Sequence, residues 1–324
     1  MKKQILWTIV IAVIVSGVTF VIYYYYDLKT PEVIYKIYDT QIDKTHKEDF
    51  PFQYIIETPK LPEHLDFCGE DVPLYNFDVS ERIERELISN TYWHSSTLLV
   101  LKRAGRWFPV IVPILKKYGI PEDFKYLAIV ESNLENQVSP AHAVGFWQLL
   151  KNTARHYGLV VNESVDERYD PWRSTEAAAK YLLKAKKKFG SWTLAAVSYN
   201  VGMSQLQKQI KRQRTKVYYN MNLNDETARY LFRLLAIKSI FEHPAEYGFL
   251  IDKSQLYKPY EFTTEKVKYS IKDLAKWAKI RGLNYRTLKL YNPWLRDNYL
   301  KVKRNKSYII RIPTPESIEI IPEP

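Results

Sequence analysis

Apolar positions between residues 78 and 248 recur at spacings of three and four, as they do in amphipathic helices packed on a shared core. Ser80 is a candidate cap for the first helix, with Glu81, Glu84 and Glu86 near its positive end. A second helix runs from Arg106 to Tyr118 and ends at Gly119. Pro121 suits the first turn of a third, which carries Phe124, Leu127 and Ala128 on one stripe. Helical spacing continues at Thr153 to Tyr157, after the caps Ser174 and Ser191, and at Thr227 to Phe241. No recurrent strand alternation interrupts this stretch, so residues 78–250 are expected to form a mainly α domain.

The flanks differ. Residues 27–77 hold Pro31, Pro51, Pro59, Pro62 and Pro73 and read as an extended spacer or arm. Residues 251–324 show a β-α-α-β order: strand-prone Tyr260 to Thr263, helical Ser270 to Lys279 and Tyr285 to Leu290, then strand-prone Ser307 to Ile312. A Pro-rich tail closes the chain. At the other end, Ile5 to Ile22 is uncharged and mostly apolar, preceded by Lys2 and Lys3 and followed by four tyrosines. That length approaches the span of a bilayer, and the lysines favour a cytoplasmic amino end. Residues 1–26 are therefore expected to be an N-terminal transmembrane helix, with the rest of the chain outside the cytoplasmic membrane.

Composition narrows the partners. The net charge of +12 over 324 residues suits an acidic polymer or surface. No nucleic-acid motif is present, and the lysines are scattered or lie on helix faces, so nucleic acid is not an expected partner. Cys68 is the only cysteine, which excludes an intramolecular disulfide, and CxxC metal spacing is absent. No cofactor or metal is expected.

The chemistry centres on Glu131, which follows Phe124 by seven residues and so falls on the same apolar stripe. A carboxyl group against buried apolar side chains resists ionisation and can stay protonated near neutral pH. It can then donate that proton to a leaving oxygen. Other carboxylates near it in sequence are Glu135, Asp166, Glu167 and Asp170. Glu135 reads as a surface acid and the other three as caps or braces for the next helix.

Five stretches in order resemble the lysozyme-like lytic transglycosylases of the bacterial cell wall, of the membrane-bound lytic murein transglycosylase D type. They are IPEDFKYLAIVES (120–132), SPAHAVGFWQLLKNTARHYGL (139–159), VDERYDPWRSTEAAAKYL (165–182), FGSWTLAAVSYNVG (189–202) and ETARYL (226–231). The resemblance implies that Glu131 is the lone catalytic acid. It implies cleavage of the β-1,4 bond from N-acetylmuramic acid to N-acetylglucosamine, with the muramic C6 hydroxyl closing a 1,6-anhydro ring. It further implies substrate-binding roles for Ser139, for Gly145 and Gln148 of the G-x-x-Q motif, for Tyr199 and Asn200, and for Tyr230. Their bland alternatives are a turn serine, a loop-holding amide and a helix-end asparagine. His142 stands where the family often has glycine. Residues 269–295 resemble, more weakly, a LysM-like peptidoglycan-binding unit. The expected partners are thus glycan strands and a membrane, in the cell envelope. A lysozyme-type hydrolase and a silent wall-binding protein are the alternatives.

Overall fold

A computed structural model describes residues 56–314. The expected transmembrane helix at residues 1–26 lies outside them, and so does the final tail. Among the described residues no helix is long and apolar enough to cross a membrane.

The region from Thr58 onward is mainly helical. Helix α1 (Phe77–Tyr92) buries Val79, Ile83 and Leu87. Its cap is Asn76, whose side chain accepts from the amides of Asp78 and Val79. The sequence predicts Ser80 for that role, but the helix begins a turn earlier and Ser80 lies within it. Helix α2 (His94–Lys117) is longer than its apolar signal after Arg106 suggests. Its buried side at Thr97, Val100, Leu101, Ala104, Ile111 and Leu115 keeps a helical spacing through two internal prolines, Pro109 and Pro113. A short turn at Glu122–Phe124 leads into α3 (Lys125–Ser132), which ends at Asn133 in the left-handed conformation. Helix α4 (Lys151–His156) is short. Helix α5 (Pro171–Phe189) is capped by the Asp170 carboxylate rather than by Ser174, with proline at its first position. Ser191 caps α6 (Trp192–Val201) as predicted. Helix α7 (Met203–Gln213) follows, and α8 (Asp225–Glu242) carries eleven buried residues and forms the centre of the domain.

Part of the Pro-rich segment belongs to this core. A two-strand ladder of β1 (Asp66–Phe67) and β2 (Glu70–Asp71) places Leu65, Phe67 and Val72 among the buried side chains. Phe67 meets the Phe124 ring edge-on at 5.2 Å. Polar anchors reinforce the contact: buried Lys238 bonds Asp66 and Asp123, at 3.1 and 2.9 Å.

The C-terminal strands β3 (Phe262–Val267) and β4 (Tyr308–Pro313) pair antiparallel, from Phe262 opposite Pro313 to Val267 opposite Tyr308. Between them lie α9 (Leu274–Lys279) and α10 (Tyr285–Tyr291). A second core of Val267, Leu274, Trp277, Leu288, Leu295, Leu300 and Ile310 holds the unit together. Asn292 is fully buried, and its amide donates to the carbonyls of Leu288 and Arg311 and accepts from the Arg311 amide. A buried amide satisfied in this way fixes β4 against the end of α10.

This unit is fastened to the helical region. Val165, from the loop before α5, is completely buried in the second core. The Asp166 amide donates to the Trp294 carbonyl, and the Arg296 amide to that of Ser164, both at 2.9 Å. The buried Arg311 guanidinium reaches both oxygens of Asp170 (3.0 and 3.2 Å) and lies 3.7 Å above the Trp172 ring. Asp170 therefore caps α5 with the same carboxylate that holds the module.

Candidate active site

Glu131 sits in the last turn of α3. Phe124, Leu127 and Ala128, the stripe that leads to it, have no exposed surface. Glu131 itself is half-buried. Burial pushes its carboxyl group up to about 7, helped by the negative charge of Glu226 and opposed by the Tyr230 hydrogen bond and by Arg233. Near neutral pH a substantial fraction therefore carries a proton, as a general acid requires.

Tyr230 lies in the second turn of α8, and its hydroxyl donates to Oε1 of Glu131. The tyrosine is buried, and burial beside that carboxyl holds its own ionisation well above the usual range. It stays a neutral donor at any ordinary pH. A carboxylic acid that accepts at Oε1 keeps its proton on Oε2, so this bond orients the acid as well as anchoring it.

Ser132, next in sequence, ties α3 to the following loop. Its hydroxyl is within bonding distance of the Ala128 and Phe146 carbonyls, 3.0 and 2.9 Å. The loop holds Ser139, Gly145 and Gln148. The Ser139 hydroxyl accepts from the Ala143 amide at 3.0 Å, which makes it a turn serine in this structure. Gly145 has φ +82°, and a Cβ there would stand 2.0 Å from the Arg168 carbonyl oxygen. Only glycine fits this approach. Gln148 donates from its amide nitrogen to the carbonyls of Gln137 (3.1 Å) and Gly145 (2.8 Å). Those donors hold the loop, and Oε1 is left as the acceptor. His142 has φ +60°, the conformation that glycine takes most easily.

Tyr199 and Asn200 end α6. The Tyr199 hydroxyl donates to the Trp147 carbonyl at 2.7 Å, and the charge on Glu131 adds to the burial that keeps it neutral. Trp147 has no exposure and bonds Thr175, so it is core rather than a sugar platform. The Asn200 amide donates to Glu226 (3.1 Å), and its oxygen accepts from Thr227 (3.0 Å). Asn200 thereby joins α6 to the start of α8. The structure thus brings Tyr230 onto Glu131 directly, Tyr199 into its electrostatic surroundings, and Gly145 and Gln148 into the loop fastened to Ser132.

The four other carboxylates considered from sequence are committed elsewhere. Glu135 pairs with Arg103, Asp166 with Arg168, Glu167 with Arg173 and Asp170 with Arg311. Glu226 is an acid in the first turn of α8, and its negative charge also acts on Glu131. The cap of α8 is Asn224. Arg233 had no sequence signal beyond its position seven residues after Glu226. Among the described residues no cluster of His, Cys, Asp and Glu suits a metal ion.

Residues 110–222 match the Transglycosylase SLT domain family, and residues 263–316 match the Soluble lytic transglycosylase C-terminal LysM-like domain. The chain is 28% identical over 246 residues to Membrane-bound lytic murein transglycosylase D of Escherichia coli strain K12. That alignment covers 72% of this chain and 52% of the relative, so the chain spans about half the length of the curated protein it matches. A Putative tributyltin chloride resistance protein of Alteromonas sp. strain M-1 is 27% identical over 127 residues, 39% of this chain and 61% of that protein. A solved structure, the 70 kDa soluble lytic transglycosylase of Escherichia coli, aligns at 20% identity and a TM-score of 0.35, over 41% of this chain and 24% of its own. The chain carries a transglycosylase SLT domain followed by a LysM-like domain, and it is homologous to membrane-bound lytic murein transglycosylase D.

Proposed function

We propose that this protein is a peptidoglycan lytic transglycosylase of the cell envelope. It cleaves the β-1,4 bond between N-acetylmuramic acid and N-acetylglucosamine without water and leaves 1,6-anhydro ends. The observation that carries this reading is the environment of Glu131: a carboxyl group pushed up to about 7 by burial, oriented by a neutral tyrosine.

In the first step the Glu131 proton passes to the glycosidic oxygen as the C1–O bond breaks. The resulting carboxylate then takes the proton of the muramic C6 hydroxyl, whose oxygen bonds to C1. Glu131 ends protonated, so one residue serves as acid and then as base. The substrate provides its own nucleophile, and no second carboxylate is required. Burial raises the energy of the carboxylate formed in the first step and so strengthens it as the base of the second. In this reading Ser139, Gly145, Gln148, Tyr199 and Asn200 belong to the walls of the glycan cleft, with the acceptor oxygen of Gln148 available to an acetamido N–H. The basic surface and the LysM-like domain suit an anionic wall polymer, and the apolar run at residues 5–22 would tether the enzyme to the membrane.

A hydrolase is the second reading, and Glu226 is the observation in its favour, because this carboxylate acts electrostatically on Glu131. Mass spectrometry of digested sacculi separates the two. Anhydromuropeptides as the new ends support the transglycosylase. Reducing ends alone, each carrying an oxygen from labelled water, would establish the hydrolase instead.

A further inference from the structure

The segment from Ser164 to Tyr169 has contacts both to the C-terminal module and to the loop that holds Gly145 and Gln148. Its module side begins at Val165, which is completely buried in the second core and pairs with Leu295. The Asp166 amide reaches the Trp294 carbonyl, and the Arg296 guanidinium lies 3.9 Å from the centre of the Tyr169 ring. Its other contacts meet the loop. The Tyr169 carbonyl accepts from the Asn136 side-chain amide at 3.2 Å, and the Arg168 carbonyl is the group that leaves room only for glycine at 145.

The buried Arg168 side chain completes the link. Its Nε and Nη2 donate to the Asp166 carboxylate, at 2.9 and 2.7 Å. Nη1 donates to the carbonyls of His142 (3.0 Å) and Leu149 (3.1 Å). Those carbonyls stand on opposite arms of the loop, which closes where the Val144 and Leu149 amides bond each other's carbonyls at 3.2 Å. Gly145 and Gln148 lie between the arms. One planar guanidinium therefore ties both arms to a carboxylate whose own backbone is bonded to the module. Gln148 has φ +43°, a conformation that a residue with a side chain keeps only where its surroundings enforce it.

We infer that Arg168 is a positioning residue, which sets how Gln148 presents Oε1 to substrate, and that the C-terminal module acts on the site through it. The inference rests on the proposed role of Gln148 as a substrate contact. The Arg168 side chain bonds Asp166, His142 and Leu149, so its effect falls on substrate binding and not on the proton transfers of Glu131. The module thereby braces the catalytic loop, a role separate from any contact it makes with the wall.

A double-mutant cycle on soluble glycan strands tests this. Arg168→Lys keeps a positive charge beside Asp166 but cannot span that carboxylate and both carbonyls, so it loses the clamp while sparing the buried anion. It should raise KM roughly 10-fold with little change in kcat. In a Gln148→Ala background the same substitution should change KM less than roughly 2-fold, because the residue it positions is gone. A merely structural loss would lower activity by one factor in both backgrounds, and equal factors overturn the inference. Hydrogen exchange gives a readout that needs no turnover. Exchange of residues 142–149, taken relative to α8, should quicken roughly 10-fold in Arg168→Lys and also in Val165→Ala, which trims the module's core. Unchanged loop exchange in Arg168→Lys sinks the positioning role. A loop that quickens there but not in Val165→Ala sinks the module's part in it. Normal strand cleavage by Gln148→Ala sinks the role given to Gln148, which the exchange result does not share.

Discussion

The Tyr230 hydroxyl donates to Oε1 of Glu131, so the second turn of α8 holds the last turn of α3 at the reacting atom. The two residues are ninety-nine positions apart in sequence. The bond opposes burial: it favours the carboxylate, while the apolar surroundings favour the acid. Their balance sets the pH range in which Glu131 can both give and receive a proton.

Tyr230→Phe removes the favourable term and leaves the burial. The Glu131 pKa then moves further up. Since the free enzyme must hold the proton, wild-type kcat/KM falls as pH rises through about 7. In Tyr230→Phe that decline should begin at higher pH. At the optimum, kcat should drop roughly 10-fold, because the acid is no longer oriented. A pH profile of strand release checks both effects.

Gly145→Ala tests the close approach in the loop. The added Cβ would meet the Arg168 carbonyl oxygen at 2.0 Å, and backbone cannot withdraw as the tip of a side chain can. The positive φ adds strain. A loss of about 3 kcal/mol is expected in urea unfolding, a large effect for one methyl group. Activity should fall as well, since this loop is tied through Phe146 and Ser132 to the residue beside Glu131.

Arg311→Met tests how the C-terminal module is held. The substitution keeps much of the side-chain length but leaves Asp170, 4% exposed, without its cation. Breaking one side of a buried pair costs about 3–5 kcal/mol. Thermal unfolding should show that loss across the whole described region, because Asp170 also caps α5. Lysine at 311 should recover only part of it, as it cannot span both carboxylate oxygens or stack on Trp172.

Much of this was accessible from sequence because it is local. The stripe Phe124, Leu127, Ala128 and Glu131 records helix geometry, and ETARYL already contains Tyr230. The β-α-α-β order after residue 260 appears in the structure with shifted ends. Helix starts were less accessible: Asn76 and Asp170 cap their helices ahead of Ser80 and Ser174, since each of these residues can cap and flanking packing chooses between them. Contacts that cross the chain had no local signal. Arg311 and Asp170 are separated by 141 positions, and Arg229 and Glu86 by 143. Nothing in a charged residue's neighbourhood along the sequence names such a partner. The same holds for Glu226, whose influence on Glu131 depends on α8 packing beside α3.

The most direct measurement is a titration of the Glu131 carboxyl carbon by NMR in glutamate-labelled protein, assigned by the signal that Glu131→Gln loses. A midpoint near 7 is predicted, and it should rise in Tyr230→Phe. A midpoint near 4.5, the ordinary value for the group, would mean that Glu131 is already ionised at neutral pH and could not begin the reaction.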